Sequence, residues 1–242
     1  MSVVISSYQS GRPSNVDVAT AIEHLRIVRS TLLIMLRLNG GLSHGEESRS
    51  ADPLSSRAMK PADSILFSGG APGAEARFGD CAERHGVEEV NFTFEGHRIE
   101  RHRGVRVLNH EELLGGDISL AYVSRLMNRR YTEGPTLRKI LQTLWYQVNS
   151  GQEIYVIGTI QDDLTVRGGT GWGAEFAKLC NKPLYVFDQD KDSWFAWTGD
   201  LWTPVGQSEP VITHPHFTGT GTRTLSENGA RAIEGLFDRS FV

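Results

Sequence analysis

Two glycine-rich segments hold the residues best suited to chemistry in this sequence. The β-rich run Ser64-Ile65-Leu66-Phe67 leads into Ser68-Gly69-Gly70-Ala71-Pro72-Gly73, after which Ala74, Phe78, Cys81, Ala82 and His85 recur at helical spacing. Further along, the apolar run Ile154-Tyr155-Val156-Ile157-Gly158 precedes Arg167-Gly168-Gly169-Thr170-Gly171-Trp172-Gly173-Ala174-Glu175 and a second helical pattern. A turn from a parallel strand into a helix gathers backbone N–H groups and the positive end of the helix dipole at one point, which suits a phosphate. Glycine clears side chains from that point and permits positive φ. Gly69, Gly70 and Gly73, facing Gly168, Gly169 and Gly171, are therefore candidate walls of one anion site, with Ser68, Ala71 and Thr170 in the same turns. For either turn alone, the alternative is tight turning with close helix–sheet packing.

These turns need a scaffold that brings them to one edge. Strand-like runs over 90–94 and 184–187 and a helical pattern over 137–148 complete an alternation of strands and amphipathic helices. Such alternation predicts a Rossmann-like α/β fold, a three-layer αβα sandwich with a mostly parallel sheet. Ligands of such sheets gather at the carboxyl edge. Asp188, just past the strand over 184–187, is thus a candidate to accept ribose hydroxyls or a base amine, with a turn and helix cap as the alternative. The stretch 97–131 is basic and shows no clear period. Ahead of this core, Val3-Val4-Ile5 reads as a strand, a helix begins at Ser14 and runs to residue 38, and 40–63 is polar and rich in Ser, Gly and Pro. The chain accordingly divides into an extension over 1–63 and a ligand-binding domain over 64–242.

Hydrophobic residues make up 39% of the 242 and charged residues 22%, as in a globular protein. The formal net charge of -4 supplies no overall basic field, so a nucleic-acid partner is not expected. Arg98, Arg101, Arg103, Arg106, Arg129 and Arg130 form either a solvated surface or a local phosphate-facing patch. Cys81 and Cys180 fall at apolar helical positions, consistent with reduced thiols and a cytoplasmic location. The apolar run over 32–36 is far too short to cross a bilayer, and the chain opens without a secretory pattern. His214-Pro215-His216 lacks a third ligand at suitable spacing, so neither a metal nor another cofactor is expected. Trp194, Phe195, Trp197 and Trp202 could stack a base or cover the end of the sheet. The apolar face of the helix over 14–38 offers one route to a homodimer.

The segment from Ser68 to Glu75 resembles the first glycine motif of the SLOG superfamily, which includes the Lonely Guy phosphoribohydrolases and DNA-processing protein A. Arg167 to Glu175 is similar to the second Lonely Guy motif, with Gly168, Gly169, Gly171 and Glu175 in register. A third fragment, Phe217-Thr218-Gly219-Thr220-Gly221-Thr222-Arg223-Thr224, resembles the opening strand and turn of DNA-processing protein A, where it precedes the Ser-Gly-Gly motif. Here it comes last, so a permuted order is expected, with a strand near 211–217 beside the strand ending at Phe67. The resemblance implies that the chain binds a nucleotide or a related phosphorylated small molecule and hydrolyses its N-glycosidic bond. Glu175 would then act at the ribose, while Thr222 and Arg223 would face the phosphate. It also leaves open a SLOG-type sensor that holds its ligand without turnover, or a single-stranded DNA binder. One position departs from the pattern: Leu144 stands where the Lonely Guy family has an arginine, with Arg138 and Lys139 upstream on the same helix. Thr224 and Glu227 are expected to form a capping box for the last helix.

Overall fold

A computed structural model describes residues 59–131, 134–206 and 208–241. The expected strand at 3–5 and helix over 14–38 lie outside the described residues. Among the described residues eight strands form one sheet: β1 (Ile65–Ser68), β2 (Glu88–Phe94), β3 (Val105–Leu108), β4 (Glu153–Gly158), β5 (Leu184–Asp188), β6 (Ser193–Trp197), β7 (Trp202–Pro204) and β8 (His216–Gly221). Their spatial order is β3-β2-β1-β8-β4-β5-β6-β7. The first six strands in that order are mutually parallel, and β6 and β7 add an antiparallel edge. The fold is a Rossmann-like α/β sandwich.

Burial on both faces explains why β4 reads as an unbroken apolar run: all six of its residues are buried. Ile154 and Val156 face one core with α4 (Pro135–Ser150) and α5 (Thr170–Leu179). Tyr155 and Ile157 face the other, with α1 (Ala74–Arg84) and α6 (Glu227–Ser240).

The last strand completes the centre of the sheet. β8 lies between β1 and β4, pairing Ile65 with His216 and Leu66 with Phe217 on one side and Ile154 with Thr218 on the other. The expected neighbour of β1 is thus present, but it begins at His216 and runs through Thr218-Gly219-Thr220-Gly221, which reads as a turn in isolation. Two contacts keep that segment extended. Thr218 Oγ1 donates to the Gln147 carbonyl at 2.7 Å, and the bare α-carbon of Gly219 lets the Phe78 ring of α1 press onto the sheet. The cap of α6 also differs from expectation: Ser226, rather than Thr224, is the N-cap and accepts from the Gly229 amide.

The stretch 97–131 contains β3, α2 (His110–Leu114) and α3 (Asp117–Leu126). Its periodicity is weak for physical reasons. β3 is an edge strand with three of its four residues exposed, and α2 is one short turn held by a capping box between Asn109 and Glu112. α3 buries Leu120 and Val123 yet exposes Ile118, Tyr122 and Leu126, so its apolar residues do not form a stripe. Cys81 is buried as expected, whereas Cys180 is exposed just beyond the end of α5. No helix among the described residues is long and apolar enough to cross a membrane.

Candidate functional site

The carboxyl ends of β1, β8, β4 and β5 open onto one cavity of about 630 Å³. Gly69 and Ala71 after β1 line it, as do Gly168, Gly169 and Thr170 at the start of α5 and Thr222 and Arg223 after β8. The two glycine turns therefore border the same space. α4 contributes an apolar wall of Leu137, Ile140, Leu141 and Leu144.

The first turn closes on the protein itself. Glu75, in the first turn of α1 and 8% exposed, accepts from the Ala71 amide at 3.0 Å and from Thr220 Oγ1 at 2.9 Å. The Gly69 amide also supports this carboxyl group. An internal carboxyl thus occupies the amide nest that sequence reading assigned to a ligand anion. Burial pushes the Glu75 pKa above the ordinary carboxylate range, against the pull of these hydrogen bonds and of Arg223. Gly70 hands its carbonyl to the amides of Glu100 and Arg101. Gly73, at φ 91°, lets α1 approach the chain after β8: a Cβ there would stand 2.5 Å from the Arg223 carbonyl oxygen, and the neighbouring Ala74 amide donates to the Thr222 carbonyl at 3.0 Å.

The second turn is open. Neither Gly168, at φ 73°, nor Gly169 has any atom within 4 Å of where a Cβ would stand. Gly169 is the N-cap of α5, and no side chain caps the helix there. Arg129 braces the loop from behind, donating to the carbonyls of Val166 and Gly168 and to Gln161 Oε1 and Thr165 Oγ1. At the rim stand exposed Arg223 and Arg167, the latter 3.9 Å from Asp190. The dipole of α5 and the neighbouring Arg167 thus border a turn with room for an anion, and Arg223 lines the same cavity.

Several residues singled out from sequence lie elsewhere. Ser68 is buried, its hydroxyl donating to the Gly219 carbonyl at 2.7 Å. Gly171 lies against the Val166 carbonyl. Asp188 is fully buried; it accepts from the amides of Ile160 and Asp190 and pairs with Lys191 Nζ at 2.9 Å, so it organises the loops after β4 and β5. Glu175 is not among the cavity-lining residues: it pairs with Lys178 Nζ at 2.7 Å, and that ammonium lies 3.9 Å from the Trp197 ring centroid and donates to the Leu164 carbonyl. Arg138 pairs with Asp117 and Lys139 covers the Phe94 ring, so neither replaces the arginine missing at Leu144. Trp194 and Trp202 are buried in the two cores, the packing alternative for the aromatic cluster. Three arginines of the basic stretch are neutralised within the fold, Arg101 and Arg103 by buried Glu89 and Arg106 by Glu112.

The cavity also contains groups that sequence reading passed over: Glu75, Gln147, Thr143, Thr220 and His97. Glu75 had one visible signal, an acidic residue in the helix turn directly after a glycine loop. Burial, followed by the charge on Arg223, holds the His97 pKa below its usual value, so this imidazole is biased toward its neutral form.

Fold and site define a Rossmann-like α/β protein with a ligand-sized cavity at the carboxyl edge of its sheet. No protein family matches the chain, and no curated protein matches it. A solved structure from Syntrophus aciditrophicus SB, provisionally named a molybdenum carrier protein, is similar at 15% identity with a TM-score of 0.43, covering 76% of this chain and 98% of that one.

Proposed function

We propose that the chain binds a nucleotide or nucleotide-derived phosphorylated small molecule in the cavity shared by the two glycine turns, in the manner of a SLOG-type domain. One observation carries this reading: the open Gly168–Gly169 turn at the uncapped start of α5, with Arg167 and Arg223 at the rim. A phosphate there would meet helix amides beside Arg167, with Arg223 elsewhere on the same cavity wall. The apolar wall of α4 suits the face of a base, and the cavity volume lies within the range of roughly 300–1,000 Å³ typical of small-molecule sites.

A second reading, hydrolysis of the N-glycosidic bond, draws on Glu75. A buried carboxyl group with a raised pKa on the cavity wall suits protonation of a departing base. Glu175, the carboxylate implied by the family resemblance, is paired with Lys178 instead.

The test combines titration calorimetry with chromatography on a panel of nucleoside monophosphates and NAD. Binding of at least one of them, weakened about tenfold or more by Gly169→Asp, is the expected outcome, because the new carboxylate would repel the phosphate at the helix start. Binding indifferent to Gly169→Asp would remove the anion site. Release of free base would establish turnover, and binding without release would mark a sensor.

A further inference from the structure

The buried wall of the cavity contains polar atoms that the protein leaves unmatched. Gln147 on α4 is 2% exposed, lines the cavity and has no partner for its Oε1. Its amide lies over the Gly69 α-carbon beside the Glu75 carboxyl group, as both would collide with a Cβ placed there. His97, also lining the cavity, meets Thr93 Oγ1 through Nδ1 at 3.0 Å, but its buried Nε2 has no partner. Leaving a buried polar atom unpaired is costly, and native folds tolerate few such atoms. Both atoms belong to residues that line one cavity, which makes a ligand there the natural partner.

The chemistry of that partner follows from the atoms. Gln147 Oε1 accepts and needs an N–H or O–H opposite it, so the anionic end of a ligand cannot satisfy it. A primary amide offers an acceptor and a donor in one plane, the pattern that a glutamine uses to hold an exocyclic amine together with the adjacent ring nitrogen. The apolar residues Ile140 and Leu144, a turn or two earlier on the same helix, give a ring a flat surface to lie on. The raised pKa of Glu75 keeps its proton-bearing form available at higher pH than an ordinary carboxyl group would, adding a second donor.

We propose that Gln147, with Glu75 and His97 beside it, recognises the amine-bearing edge of a nucleobase while the phosphate sits on the Gly168–Gly169 turn. This rests on the nucleotide reading of the cavity and extends it to the class of base.

Calorimetry with matched pairs tests it: AMP against purine riboside 5′-monophosphate, and CMP against 2-pyrimidinone riboside 5′-monophosphate, with ribose 5-phosphate as a probe of the anion end alone. The wild-type protein is expected to favour the amine-bearing member of at least one pair by about tenfold or more. Gln147→Leu should bring that ratio to within about twofold while leaving ribose 5-phosphate binding unchanged. Equal binding of both members in both pairs, with ribose 5-phosphate bound, overturns the proposal and spares the anion site. A preference that persists in Gln147→Leu also overturns it. If neither ribose 5-phosphate nor any nucleotide binds, the nucleotide reading fails and the inference falls with it. The wild-type comparison is decisive even if the variant does not fold.

Discussion

The turn after β1 and the turn before α5 share a composition, a position at the carboxyl edge and a border on one cavity, yet they use glycine for opposite ends. In the first, glycine brings parts of the protein together: Gly73 meets the backbone after β8, and the Gly69 and Ala71 amides hold Glu75. In the second, Gly168 and Gly169 leave space that no protein atom fills. A glycine loop is therefore an anion site only when its amides have no internal acceptor and its open side faces solvent or a cavity. The first turn is held by Glu75, which makes it part of the scaffold as well as part of the cavity wall.

The largest effect expected from this contrast is at Gly73. Alanine there would have to adopt φ 91° with its Cβ against the Arg223 carbonyl oxygen, so Gly73→Ala should cost about 3 kcal/mol or more of unfolding free energy in urea titration. A loss below about 1 kcal/mol would mean that the chain after β8 yields easily and that the first turn is less closed than its contacts indicate.

Next in size is Glu175→Gln. Lys178 would lose its counter-charge in a site where both side chains are only 11–12% exposed, while keeping the Leu164 carbonyl and the Trp197 face. A loss of about 1–2 kcal/mol is expected, with nucleotide affinity unchanged within about twofold. A strong fall in affinity with little change in stability would return Glu175 to the binding site and exchange the roles of the two glutamates, Glu75 becoming the structural one.

Much of this architecture was legible in the sequence. The apolar run of β4 and the apolar face of α1 are strong local signals, and the Thr-Gly-Thr-Gly-Thr-Arg fragment pointed to a C-terminal strand beside β1. Which turn is open was not legible, because the atoms that close the first one come from distant parts of the chain: Thr220, Thr222 and Arg223 after a long excursion, and Gln147 from a helix whose apolar stripe dominated its reading. The fates of Asp188 and Glu175 turned instead on neighbours only three residues along the chain, Lys191 and Lys178. A carboxylate at a suitable position in sequence says nothing about whether Lys191 or Lys178 reaches it first.

A smaller effect, read as a pH dependence, separates the roles of Glu75. Its folded-state pKa is raised by burial, so the stability associated with its protonated form is fully present below the unfolded value of about 4.3 and is lost as pH rises through the folded value. Glu75→Gln keeps the shape and removes the charge. Thermal unfolding of the variant should therefore fall less than that of the wild type as pH rises across that window, with the two proteins most alike at low pH. Other groups titrate in the same range, so the difference between the two curves is the quantity to read. Parallel curves would show that the hydrogen bonds from Gly69, Ala71 and Thr220 offset the burial of the carboxylate, leaving its pKa unshifted on folding.

The smallest change in stability is expected at Gly169, where the comparison between the turns is sharpest. This residue has φ -64° and ψ -34°, which any L residue adopts, and no atom lies within 4 Å of an added methyl. Gly169→Ala should shift unfolding free energy by no more than about 0.5 kcal/mol, whereas Gly168→Ala, at φ 73°, should cost about 1 kcal/mol through backbone strain alone. Binding should follow a different order. The Gly169 methyl would project into the space assigned to the phosphate, weakening a nucleoside monophosphate about tenfold while the fold stays intact. If Gly169→Ala left both stability and affinity untouched, the open turn would be empty in the bound state too. The anion would then have to lie nearer Arg223, over the turn that Glu75 already occupies.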